Sequence, residues 1–186
     1  MTTSDERTPY GSIQKTLHWV AALCVLLAWT IGTIGDDIPR AAEVMALSIH
    51  MSLGLAVFVI LTLRLVWRFA DPPDVRVTRF SPWSDYLASI SHWLLYSLMA
   101  TVPVTGILLQ FARGKALSIF GLLHIASPWP ADRVLVHSIK DVHELLANSL
   151  VILAALHVVA ALFHHFVLRD QTLVRMLPWH HRLGQK

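Results

Sequence analysis

Residues Asp141 to Leu168, DVHELLANSLVILAALHVVAALFHHFVL, form an apolar run long enough to cross a bilayer, and it carries His143 and His157 fourteen residues apart. In an α-helix fourteen residues return to within about 40° of the starting direction and climb about 21 Å. Both imidazoles therefore share one face at two depths. Histidines inside a membrane-length segment are costly, tend to face a bundle interior and mark functional positions. Two of them stacked on one rail call for two separate partners.

Three further runs can span. The first covers approximately 12–35, with His18 near its start and Trp29 near its far end. The second covers approximately 43–69 and carries His50, Arg64 and Arg68; the third, approximately 83–111, carries His92, Pro103 and Gly106. With the fourth at approximately 141–168, spans of roughly 20 residues each use up most of the 186 residues. A chain that is 55% hydrophobic and only 15% charged fits that reading, since soluble domains carry about 25% charge. The fold expected is all-α, an antiparallel four-helix bundle integral to the membrane, as one domain over 1–186. Residues 70–82, with DPPDVRVTRFSP, read as a loop. The stretch LSIFGLLHIASPWP is too short to span, so a short interfacial helix is expected around 115–125.

Orientation follows from lysine and arginine. Of the 15 such residues, Arg40, Arg113, Lys115, Arg133 and Lys140 fall on one side, and the rest sit in the N-terminal segment, the second loop with its flanks and the C-terminal tail. The positive-inside bias places both termini in the cytoplasm. It also accounts for the net charge of +3, and nothing is left to suggest nucleic-acid binding. The polar start MTTSDERTPYGSIQK lacks the pattern of a signal peptide, so the first run is expected to persist as a helix. The single cysteine, Cys24, excludes an internal disulfide framework, and no CxxCH motif is present for covalent haem attachment.

Eleven histidines are the anomaly of composition. On antiparallel spans His50 and His143 come to the outer level, and His18 and His157 to the inner one. Two imidazoles from facing helices are the axial ligands a non-covalent haem needs in a bundle core. Ala21, Ala22, Gly54, Ala147 and Ala154 leave room beside them for a flat macrocycle. The plain alternative is a set of unrelated interior histidines hydrogen-bonded to neighbouring helices. At the inner level His92 competes with His18; His157 is preferred there because it shares a face with His143. His164, seven residues past His157, is a candidate to donate to a quinone headgroup or shuttle its protons, or else a histidine snorkelling at the interface. Arg64, Arg68, Arg113, Lys115 and Lys140 are candidate partners for haem propionates. His124, His137, His180 and His181 read as solvated.

QKTLHW, LSIHMSLG, VTGILLQFARG and DVHELLANSLVILAALHVVAALFHHFVLRDQTLVRMLP together resemble the bacterial cytochrome b561 family over nearly the whole chain. That resemblance implies two haem b groups with axial histidines at the positions of His18, His50, His143 and His157. It also implies a multi-pass protein of the bacterial inner membrane that passes electrons between a periplasmic donor and the quinone pool. Some members are similar to superoxide oxidase, a membrane oxidoreductase that takes electrons from superoxide and reduces ubiquinone. Arg113, Lys115, Arg133 and Lys140 would make the outer rim attractive to such a small anion. A reading of another class is a non-catalytic haem-binding anchor subunit fed by a partner dehydrogenase or hydrogenase.

Overall fold

The computed structural model describes residues 11–37, 39–70, 82–170 and 172–177. Four helices dominate: α1 (Ser12–Thr33), α2 (Arg40–Ala70), α3 (Pro82–Ala112) and α4 (Arg133–Phe166). All four are long and apolar enough to cross a membrane. α1 packs along α2 and α3 along α4, two antiparallel pairs that meet through α2 and α3; a sparser α1–α4 seam closes the ring. Large apolar side chains such as Leu23, Phe58, Leu145 and Val159 point outward, which lipid tolerates and water does not. The result is a four-helix membrane bundle.

The buried cluster at the centre is small. Ala21, Val57, Leu61, Met99 and Leu150 meet there. Val57 lies seven residues after His50, Met99 seven after His92, and Leu150 midway between His143 and His157. Seven residues are two turns, about 10 Å, so this apolar plug separates two histidine levels: one, called outer here only for its place beside the α1–α2 and α3–α4 connections, and one, called inner, at the end where α1 begins and α4 ends.

Two features of the α3–α4 connection depart from the expected layout. Residues 117–125 are not a helix but a hairpin, β1 (Leu117–Ile119) pairing antiparallel with β2 (Leu123–Ile125) in the register Leu117↔Ile125 and Ile119↔Leu123. Phe120 and Gly121 both take positive φ, 50° and 70°, and the Leu122 N–H donates to the Ile119 carbonyl at 3.0 Å. Two successive left-handed residues are the geometry that closes a tight hairpin without splaying its strands. The second departure is that α4 begins at Arg133, about two turns before Asp141. Asp132 caps it, its Oδ1 accepting from the Val134 and Leu135 N–H groups at 2.9 and 3.1 Å, which satisfies two of the free donors of the first turn. The Asp132 N–H donates to the Ala112 carbonyl at 3.0 Å, tying the end of α3 to the start of α4. At Gly114 (φ 67°) a Cβ would come within 3.1 Å of the Ala131 backbone nitrogen, so the chain turns there on glycine.

The loop expected at 70–82 lies almost wholly outside the described residues, as do Arg7, Arg76, Arg79, His180, His181, Arg182 and Lys186.

Candidate functional site

At the outer level His50 on α2 and His143 on α4 face each other across the bundle, ring centres 6.2 Å apart and planes at 74°. Each ring is seated in a notch of the neighbouring helix. The His50 Nδ1–H donates to the Ala28 carbonyl of α1 at 2.8 Å, and a Cβ on Gly32 would lie 3.1 Å from its Cε1. The His143 Nδ1–H reaches the Val102 carbonyl of α3 at 3.1 Å, and a Cβ on Gly106 would lie 3.2 Å from its Cε1. The two notches repeat one design, a carbonyl at position i and a glycine at i+4 on the same helix face. Thr105 adds its hydroxyl at 3.0 Å from the His143 Nδ1 while donating to the Val102 carbonyl at 2.8 Å.

A carbonyl accepts and cannot donate, so in both rings Nδ1 carries the proton and Nε2 keeps its lone pair. That is the metal-binding tautomer, held by the partner that ligating histidines ordinarily have. Two imidazoles on opposite sides of one metal, each bonded at about 2 Å, have centres on the order of 6 Å apart. Around them lies a cavity of about 520 Å³ lined by Ala28, Gly32, Gly54, Gly106 and Ala147 among others, within the usual range for small-molecule and cofactor sites. Among the described residues no group of three or more His, Cys, Asp or Glu is arranged to hold a bare metal ion. Paired imidazoles flanked by small residues therefore fit a metal that brings its own planar ligand.

The inner level gathers three histidines. The His157 ring lies 5.4 Å from that of His92, and His18 is within electrostatic range of both, as well as of Arg64. The sequence pairing of His157 with His18 thus meets a competing neighbour on α3, His92. Among the described residues the buried His18 Nδ1 has no hydrogen-bond partner, whereas His92 bonds the backbone of Ala88 on its own helix.

Of the candidate cations, Arg64 and Arg68 flank the inner histidines, and Arg113 and Lys140 line the outer cavity. Lys115 is exposed and outside that lining. Glu43 and Glu144 line the same mouth, and Glu144 pairs with Lys140 at 3.4 Å, so the lining holds cations and carboxylates together. His137, expected in a loop, sits on the early turns of α4 beside Asp141 at 3.9 Å and is exposed; His124 is in β2.

Sequence reasoning missed Gly32, Thr105 and the two carboxylates, and gave Gly106 no part in the site. It also missed the Trp29 Nε1–H that donates to the Asn148 side chain at 2.9 Å, a polar tie between α1 and α4. The available signal was small and hydroxyl residues inside apolar helices, which in membranes mark close approach and interhelical hydrogen bonding.

The sequence is 34% identical over 169 residues to a probable superoxide oxidase CybB of Yersinia pestis, covering 91% of this chain and 96% of that protein. It is 31% identical over 175 residues to cytochrome b561 homolog 2 of Escherichia coli (strain K12), 90% of each chain. Cytochrome b562 of Cereibacter sphaeroides is 30% identical over 178 residues, 90% of this chain and 94% of that one. Residues 9–179 match the family of prokaryotic cytochrome b561. The chain belongs to that family, and is a multi-pass bacterial membrane oxidoreductase that binds haem b and transfers electrons.

Proposed function

We propose that the chain holds two haem b groups, one at each histidine level, and moves electrons inward from a periplasmic donor to ubiquinone in the inner membrane. Both termini are then cytoplasmic, as the lysine and arginine bias requires. The observation that supports the reading is the pair of matched notches that seat His50 and His143 across from each other, each with Nδ1 bonded to a backbone carbonyl. His18 and His157 are the inner ligands. A second inner reading, His92 with His157, is favoured by the 5.4 Å separation of those rings.

Haem iron supplies a reversible one-electron carrier at each depth. The protein does the rest. Ala28 and Val102 orient the outer imidazoles and raise their basicity; Val57, Met99 and Leu150 exclude water between the levels. Arg64 and Arg68 inside, and Arg113 and Lys140 outside, are placed to offset the charge of propionates, whereas Lys115 is the weakest of the proposed propionate partners. His164 is the group proposed to meet the quinone.

The donor proposed is superoxide, on likeness to the Yersinia pestis protein. The test is the purified protein alone, supplied with enzymatically generated superoxide and a short-chain ubiquinone. About two haems per chain and quinol formation that superoxide dismutase abolishes are expected. A red protein inert without a partner dehydrogenase or hydrogenase would make it an anchor subunit instead.

A further inference from the structure

Beyond the inner end of α4 the chain makes a turn that the electron-carrying residues do not require. After the last helical turn, where the Val167 and Leu168 N–H groups both donate to the Phe163 carbonyl at 2.9 and 3.3 Å, Arg169 takes a left-handed conformation, φ 55°. Glycine is the usual residue at such a helix exit, and a side chain there is strained. The turn brings Asp170 back over the helix. Its N–H donates to the His164 carbonyl at 3.1 Å, and its Oδ2 accepts from the His164 Nδ1–H at 2.6 Å. Oδ1 is occupied by the Thr172 N–H at 2.8 Å. The carboxylate is nearly buried, 11% exposed, and the imidazole is 28% exposed. The neighbouring His165 differs, its buried Nδ1 having no hydrogen-bond partner among the described residues.

The place of this dyad matters as much as its geometry. His164 lies seven residues past His157, about 10 Å further along the helix on nearly the same face. The segment after Asp170 folds back on α1, where the Trp19 Nε1–H donates to the Met176 carbonyl at 2.8 Å, next to His18 in sequence. The dyad therefore stands between the inner histidines and the aqueous end of the bundle.

We propose that Asp170 is a positioning residue that makes His164 the proton donor for quinone reduction at this end. The inference rests on the quinone reading above. Conversion of a quinone to a quinol takes two electrons and two protons. The electrons come one at a time from the donor, and the protons must enter separately because oxidation of superoxide to dioxygen releases none. With Nδ1–H committed to the carboxylate, a proton carried by His164 in excess of that one resides on Nε2, which gives it to the reduced quinone oxygen. Nε2 then recovers its proton from water at its exposed edge, and the second proton, taken with the second electron, reaches the other quinone oxygen from solvent. Asp170 fixes which nitrogen does this work and keeps its orientation, as orienting carboxylates do for catalytic histidines.

The test uses full-length haem-loaded protein reduced with dithionite and mixed with either ubiquinone-1 or ferricyanide, following haem reoxidation. Ferricyanide takes electrons without protons. In Asp170→Asn and His164→Gln, reoxidation by ubiquinone-1 is expected to slow by about tenfold or more, and reoxidation by ferricyanide to stay at the wild-type rate. Asp170→Glu should restore part of the lost rate. Equal slowing with both oxidants would show a structural role and overturn the proposal, as would Asp170→Asn matching wild type with ubiquinone-1. Failure of the wild type itself to be reoxidised by ubiquinone-1 would instead remove the quinone reading. Independently of turnover, nitrogen-labelled histidine spectra should show His164 protonated at Nδ1 in the wild type. An Nε2-protonated tautomer there would refute the dyad.

Discussion

His50 and His143 are seated alike although they come from different helices and rest on different neighbours: each gives its Nδ1–H to a carbonyl, Ala28 or Val102, and each lies against a glycine four residues further on, Gly32 or Gly106. A core histidine needs one hydrogen bond. Two histidines with ring centres 6.2 Å apart, each with Nδ1–H given to a carbonyl and Nε2 left unprotonated, are the pair proposed above to hold a metal.

Replacing His50 or His143 by alanine should remove the outer haem alone, lowering haem content from about two per chain to about one. His18→Ala and His157→Ala should remove the inner haem. His92→Ala should retain both; loss of the inner haem in that variant, with its retention in His18→Ala, would establish the His92–His157 pairing. Pyridine haemochrome quantification with redox titration reads the outcome.

The glycine notches make a sharper test. A methyl at Gly32 or Gly106 would sit 3.1 or 3.2 Å from the ring carbon of His50 or His143, close enough to push the imidazole off its carbonyl. Gly32→Ala and Gly106→Ala should each weaken outer-haem retention by about tenfold, in line with the loss of an orienting partner of a metal ligand. Gly54 has open space where its Cβ would go. Haem loss in Gly54→Ala would thus report a clash with the macrocycle rather than with protein, and that loss is expected, read by haem content against the apo-protein's unchanged melting temperature.

These notches were not legible in the sequence, whereas the helices and histidine levels were. A 3.6-residue period and a fourteen-residue spacing determine face and depth without reference to any other helix. The closeness of His157 to His92 depends on how α3 and α4 rotate against each other, which no single-helix pattern carries. The hairpin at Leu117–Ile125 was hidden for another reason: LSIFGLLHI has no clean alternation, and only Gly121 marks its turn. The early start of α4 had a readable sign, Asp132 before an apolar run, obscured by the charges at Arg133, Lys140 and Asp141.

Thr105 tests whether the hydroxyl tunes the site. The His143 Nδ1–H lies within reach of both the Val102 carbonyl and the Thr105 oxygen, and removing one acceptor makes the imidazole a weaker donor to iron. Thr105→Val should raise the midpoint potential of the outer haem by about 40 mV, the one-electron equivalent of roughly 1 kcal/mol. The inner potential should not move, and spectroelectrochemistry separates the two.

Glu144 bears on the approach of an anion. Its ion pair with Lys140 at 3.4 Å cancels one of the positive charges at the cavity mouth. Glu144→Gln should speed haem reduction by superoxide a few-fold at low ionic strength. The gain should fade near 0.15 M salt, where the screening length is about 8 Å. A variant with wild-type rates at low salt would show that the mouth does not steer its donor.

Asp170 predicts a pH dependence with a definite sign. Burial pushes its carboxyl up, but the hydrogen bonds from His164 and Thr172 outweigh burial and hold it below the usual carboxylate range. A carboxyl depressed in the folded state contributes stability that is complete above its unfolded value, about 3.9, and is lost as pH falls through the lower folded value. Relative to Asp170→Asn, the wild type should be more stable by about 1 kcal/mol from pH 7 down to pH 5. That margin should shrink below about pH 4 as the carboxylate is protonated and its bond to His164 loses its charge. Paired thermal melts of the two haem-loaded proteins measure the difference, and a margin that instead grew as pH fell from about 4 to about 3 would mean the carboxylate is not the form the fold selects.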